Sequence, residues 1–117
     1  MFWFGNKAKP KVVTVSAEEA FEHLKVNKAA RIVDVREPRE WDATGVPPKA
    51  VRVSLGNLAR KAPEKLSSGG PVYLICASGH RSRSGGKILL KLGYTEVFSV
   101  SGGIAAWQRA GLPLKRS

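Results

Sequence analysis

Short β-branched runs alternate with amphipathic helical segments along this chain, and the connections between them are short. Residues 12–15 (Val12, Val13, Thr14, Val15) make the first run, and residues 31–35, 50–54, 72–76 and 96–99 repeat the pattern. Each intervening helix must return the chain to the end of the sheet from which it left. Consecutive strands joined that way lie parallel, so the pattern predicts an α/β fold: five parallel strands covered by helices on both faces, in three layers, α/β/α. Residues 72–76 are the most apolar run and are expected at the centre of the sheet.

The helical segments carry their own signals. Ser16 and Glu19 form a capping-box pattern, and Ala17, Ala20, Phe21 and Leu24 recur at helical spacing on one face. Pro38 suits the first turn of a second helix, in which Trp41 would bury against the sheet; Gly45 and then Pro47 and Pro48 stop it. Residues 57–66 read as a helix interrupted by Pro63, followed by a loop over 67–71. Residues 82–92 read as a helix with Ile88, Leu89 and Leu92 inward and Gly93 past its end. Gly85 and Gly86 would each cost that helix about 1 kcal/mol relative to alanine, which makes sense if it must lie very close to the sheet. A closing helix over 103–110 is bounded by Gly111 and Pro113.

The chain has 117 residues, 43% of them hydrophobic, enough for the core of one domain, expected over residues 12–117 after a tail of residues 1–11. Cys76 is its only cysteine, which excludes an intrachain disulfide framework and a multi-thiolate metal centre; no metal and no cofactor are expected. A free thiol, with no apolar stretch near the roughly 20 residues of a membrane span and no signal-peptide pattern, points to the cytosol. Twenty Lys and Arg against nine Asp and Glu give a formal charge of +11. No acidic residue stands between Glu64 and Glu96, a window holding Lys65, Arg81, Arg83, Lys87 and Lys91, so the basic bias surrounds the cysteine and favours anions there. No aromatic-interleaved basic run or zinc-finger spacing supports a nucleic-acid reader.

Cys76 closes the apolar run at a strand's carboxyl end, where ligands bind in parallel sheets. The loop Ala77, Ser78, Gly79, His80, Arg81, Ser82 follows and leads into a helix. Asp34 and Arg36 end the second strand in the same manner. A thiol facing a helix N-terminus in basic surroundings is one that ionises readily.

Three segments resemble the signatures of a single-domain rhodanese, in order and at the family's spacing: Asp34 to Glu37, the loop from Cys76 to Ser82, and Gly93 through Ser101, Gly102 and Gly103 to Trp107. The resemblance runs from about Val12 to Pro113 and implies a rhodanese-like sheet of strand order 3-2-4-5-1. It further implies a sulfurtransferase using thiosulfate or another anionic sulfane-sulfur donor, with Cys76 carrying the sulfur as a persulfide. The acceptor would be cyanide, a thiol or a sulfur-carrier protein. Backbone N–H groups from Ala77 to Ser82 would cradle the sulfur, and Arg81 would hold the donor's oxyanion or steady the loop. Arg36 is either a second anion contact or a salt-bridge partner of Asp34 or Glu37, and Asp34 is expected to fix loops by accepting hydrogen bonds. His80 is expected on the exposed loop surface.

Two rivals share that architecture. Phosphatases of the cell-cycle type and arsenate reductases use C-x5-R, whereas Cys76 to Arg81 is C-x4-R, a smaller ring that favours a sulfur atom over a phosphate. A catalytically silent partner-binding module is the other; such modules often lack the cysteine. The chain departs from the family in reading Gly45, Val46, Pro47, Pro48, Lys49, Ala50 where many members have Gly-His-Ile-Pro-Gly-Ala, which leaves that loop's geometry open. Phe2, Trp3 and Phe4 precede Lys7, Lys9 and Lys11; packing on protein is favoured for them over peripheral contact with a membrane.

Overall fold

The computed structural model describes residues 9–66 and 69–116. In chain order the elements are β1 (Val12–Val15), α1 (Ala17–Val26), β2 (Arg31–Asp34), α2 (Pro38–Thr44), β3 (Val51–Arg52), α3 (Leu55–Lys65), β4 (Val72–Ile75), α4 (His80–Lys91), β5 (Val97–Val100) and α5 (Gly103–Arg109). The strands form one parallel sheet in the order β1-β5-β4-β2-β3, the expected order read from the other edge. Tail residues Phe2, Trp3 and Phe4 lie outside the described residues.

The central strand β4 is buried at every position, as its unbroken apolar run requires. Side chains alternate across it. Val72, Leu74 and Cys76 face a core with Leu58 and Ala62 of α3 and Leu89 of α4, and Tyr73 and Ile75 face one with Ala17 and Ala20 of α1 and Trp107 of α5. Three layers result, with all five strands pointing their carboxyl ends at one edge.

Local signals account for most element boundaries. The Ser16 hydroxyl accepts from the Glu19 N–H at 3.0 Å while the Glu19 carboxylate accepts from the Ser16 N–H at 3.1 Å, closing the capping box of α1. Three elements depart from expectation by two residues or more. Pro63 does not interrupt α3, which runs on to Lys65. The third strand has only two residues. Helix α4 starts at His80, two residues early, because Gly79 takes a left-handed conformation (φ 114°) that turns the loop sharply into the helix.

Gly85 and Gly86 do mark a close approach. A Cβ on Gly85 would stand 2.9 Å from Leu74 Cδ2, and one on Gly86 2.6 Å from Val12 Cγ2, so α4 lies directly on β4 and β1. The departure loop also has a definite geometry. The Ala50 N–H donates to the Pro47 carbonyl at 3.0 Å across a turn with Lys49 at φ 67°, a position that usually takes glycine. No helix among the described residues is long and apolar enough to cross a membrane.

Candidate active site

Cys76 follows the last residue of β4 and is 1% exposed. Its Sγ accepts hydrogen bonds from the Gly79 N–H at 3.0 Å and the Ser82 N–H at 3.3 Å, and the Ser82 hydroxyl lies 3.6 Å away. Burial pushes the thiol's pKa up, but the Ser82 hydroxyl and the N–H groups of Ser82, Gly79 and Ser78 favour the anion, and the net direction is down. The loop is therefore a cup of donors around one sulfur.

Helix α5 fixes the cup from outside. The Ile104 N–H donates to the Cys76 carbonyl at 2.8 Å and the Ala105 N–H to the Ala77 carbonyl at 3.3 Å, so the first turn of α5 rests on the loop backbone. That contact requires the chain to turn at Gly102 and Gly103, both at positive φ, which is what the Ser101-Gly102-Gly103 segment provides.

Asp34 and Arg36 end the neighbouring strand as a buried ion pair, 0% and 2% exposed. Arg36 Nε donates to Asp34 Oδ1 at 2.9 Å and NH2 to Oδ2 at 2.8 Å. The other donors reach the carbonyls of Glu40 and Gly45 and the Thr44 hydroxyl. Asp34 also accepts from the Arg36 N–H and from Trp41 Nε1, both at 3.1 Å. Each nitrogen of the Arg36 guanidinium thus meets a protein acceptor, and Trp41, half-buried, is tied to Asp34 by its indole.

Arg81 is also engaged. Its guanidinium meets Glu40 of α2 in a two-pronged pair at 2.7 and 2.8 Å. The Arg81 hydrogen bonds hold the Glu40 carboxyl at a pKa of about 2, against partial burial. Of the two roles expected of Arg81, holding the donor's oxyanion or steadying the loop, this pair fits the second, a strap between α4 and α2. His80 is exposed, its Nδ1 3.2 Å from an Arg83 guanidinium nitrogen.

A cleft of about 270 Å³ opens beside the loop between α2 and α5, lined by Glu40, Thr44, Ala77, Ala105 and Gln108 among others. A larger cavity of about 610 Å³, bordered by Phe21, Leu24, Pro47 and Pro48 with Lys25, Lys28 and Lys49 at its edge, begins at the opposite end of β2, away from Cys76.

Two residues of this site escape the sequence reading. Glu40 pairs with Arg81 across 41 positions, and its spacing reads only as the N3 acid of α2, which it also is. Ser99 of β5, 1% exposed, shares a 2.6 Å hydrogen bond with the Ser82 hydroxyl behind the cysteine. Nothing in an isolated serine of a strand signals such a contact; only the pairing of β5 beside β4 creates it.

Comparison with known proteins shows the family of the chain. Residues 16–110 match the family model of the rhodanese-like domain. The chain is 32% identical over 101 residues to thiosulfate sulfurtransferase GlpE of Actinobacillus pleuropneumoniae serotype 3, covering 86% of this chain and 91% of that protein. Among solved structures, a rhodanese-related protein of Thermoplasma volcanium superposes with a TM-score of 0.75 at 28% identity, covering 90% of this chain and 99% of the other. The polysulfide-sulfur transferase of Wolinella succinogenes gives 0.74 at 26% identity, over 89% of this chain and 78% of the other. A strand-end sulfur in a cup of N–H groups, in a chain that matches from the first helix to the last, makes this protein a member of the rhodanese-like domain family of sulfurtransferases.

Proposed function

We propose that the protein moves sulfane sulfur from thiosulfate or a related anionic donor to a thiophilic acceptor through a persulfide on Cys76. The observation that carries this reading is the sulfur's setting: 1% exposed, yet held by N–H donors that favour its anion. A nucleophile so enclosed accepts only the slim end of a donor, and a terminal sulfur atom is such an end. The Cys76 thiolate attacks the outer sulfur of thiosulfate, the S–S bond breaks, and sulfite leaves with the bonding pair. The new Sγ–S⁻ sits among the same donors, and Asp34 and Arg36 brace the end of the neighbouring strand β2. The second displacement returns Cys76 to thiolate. With no other cysteine in the chain, the persulfide has no internal thiol to resolve it, so the acceptor is a separate molecule.

Against a phosphatase reading stands Arg81, bonded to Glu40, where a phosphate-binding loop would turn its arginine onto the anion. The free thiol suits a reducing compartment, and we place the reaction in the cytosol. Intact mass after incubation with thiosulfate tests the reading: one sulfur gained, removed by cyanide and absent in Cys76→Ser. Absence of the adduct under non-reducing conditions would refute it.

A further inference from the structure

Two arginines outside the loop converge on its rim. A Cβ placed on Gly79, whose N–H donates to the Cys76 sulfur, would stand 4.0 Å from an Arg83 guanidinium nitrogen and 3.5 Å from the Gly102 nitrogen. One placed on Gly102 would stand 3.7 Å from an Arg109 guanidinium nitrogen. Arg83, from the first turn of α4, and Arg109, from the end of α5, thus flank the junction of Gly79 and Gly102 from two sides.

Both side chains belong to exposed residues, and no salt bridge among the described residues involves either one. Arg83 instead lies against a ring nitrogen of His80. Arg81, by contrast, has its charge met by Glu40. Arg83 and Arg109, unlike Arg81, lie at this rim without a salt bridge among the described residues.

We infer that Arg83 and Arg109 form the acceptor subsite, and that the acceptor is a small thiol bearing a carboxylate. The inference rests on the persulfide reading above. In the second displacement the acceptor thiolate attacks the outer sulfur of Cys76–S–S⁻. A bond forms between the acceptor's sulfur and that outer sulfur, the Sγ–S bond breaks, and its electron pair stays on Cys76 as thiolate. The product leaves as an acceptor persulfide anion, with no net oxidation and the same total charge on both sides. Two negatively charged sulfurs must meet for this to happen, and a rim cation lowers that repulsion. A carboxylate a few bonds from the thiol would reach the guanidiniums while the sulfur enters the cup, and Arg suits carboxylate through its planar fork of donors.

The test separates the two half-reactions. The full chain is first loaded with thiosulfate and checked by intact mass, so that failure to load counts against the persulfide itself. Loaded protein is then reacted with mercaptosuccinate, 2-mercaptoethanol and cysteamine, anionic, neutral and cationic, and the second-order rates are compared per thiolate present. The wild type should prefer mercaptosuccinate to cysteamine by well over tenfold at low salt, and Arg83→Gln and Arg109→Gln should each reduce that ratio by about fivefold, the size of one exposed charge contact. Normal loading with no charge preference, or a preference that survives the double variant, would overturn the subsite and leave the persulfide standing. A circular-dichroism melt matching wild type ensures that the variants are folded.

Discussion

Replacing Gly103 with alanine should damage the fold and the site together, and the contacts say by how much. Gly103 sits at φ 58°, where an L side chain costs about 1–2 kcal/mol. Its Cβ would also lie 2.3 Å from the Cys76 carbonyl oxygen and 2.5 Å from the Ala77 carbonyl carbon. Ordinary contact begins near 3.4 Å, so about 1 Å of movement is required. The atoms in the way are backbone, and they are the same carbonyls that receive the first turn of α5. Forcing a methyl group into a packed contact costs about 1–3 kcal/mol. The sum is a loss of about 2–5 kcal/mol, read as a lower midpoint of urea denaturation at constant slope. Gly111→Ala is the control, because φ there is 71° with nothing within 4 Å of the added carbon, so it should lose only the conformational part. Alkylation of Cys76 by iodoacetamide should change in Gly103→Ala and not in Gly111→Ala. Equal losses in the two variants, or unchanged Cys76 reactivity in Gly103→Ala, would refute the idea that α5 holds the cup through this contact.

Asp34→Asn should cost about 3–5 kcal/mol in denaturant unfolding, because it leaves the Arg36 charge buried without its counterion; Asp34→Asn combined with Arg36→Met should recover much of that, and a single-variant loss below about 1 kcal/mol would sink the argument. Ser82→Ala removes one of the donors that lower the Cys76 pKa, so the thiolate forms only at higher pH and the rising limb of the alkylation rate against pH moves upward; an unmoved or lowered limb contradicts this. Glu40 has a folded pKa of about 2 against an ordinary 4.5, so its contribution is complete above about pH 4.5 and disappears as the pH falls through about 2. Acid titration of stability should therefore be steeper in the wild type than in Glu40→Gln, and identical curves would show that the strap to Arg81 adds nothing.

The architecture was legible because it depends on periodicity and local chemistry. Alternating β-branched runs and helical stripes name the layers, Ser16 and Glu19 open a helix that forms as read, and the apolar run before Cys76 could only be a central strand. The errors are instructive in the same terms. Pro63 reads as a break, yet it lies in a helix that packs Leu58 and Ala62 into the core, and that burial outweighs the lost hydrogen bond. Helix α4 starts two residues before its spacing predicts because a left-handed Gly79 is a backbone choice that spacing does not record.

By itself, then, the sequence determined the class of fold, the end of the sheet at which chemistry would lie and the one sulfur able to perform it. Only the tertiary structure decided which cation faces what. Read along the chain, Arg36 is either an anion contact or a partner of Asp34 or Glu37, and Arg81 either holds the donor's oxyanion or steadies the loop; folding brings Asp34 and Glu40 against them in ion pairs of 2.8 Å or less. Arg83 and Arg109, 26 residues apart in sequence, come to one rim because Gly79 and Gly102, the turns that open α4 and α5, lie against each other and each arginine reaches back over one of them. Charge is written in the sequence, and its partner is set by which strand ends the sheet brings together.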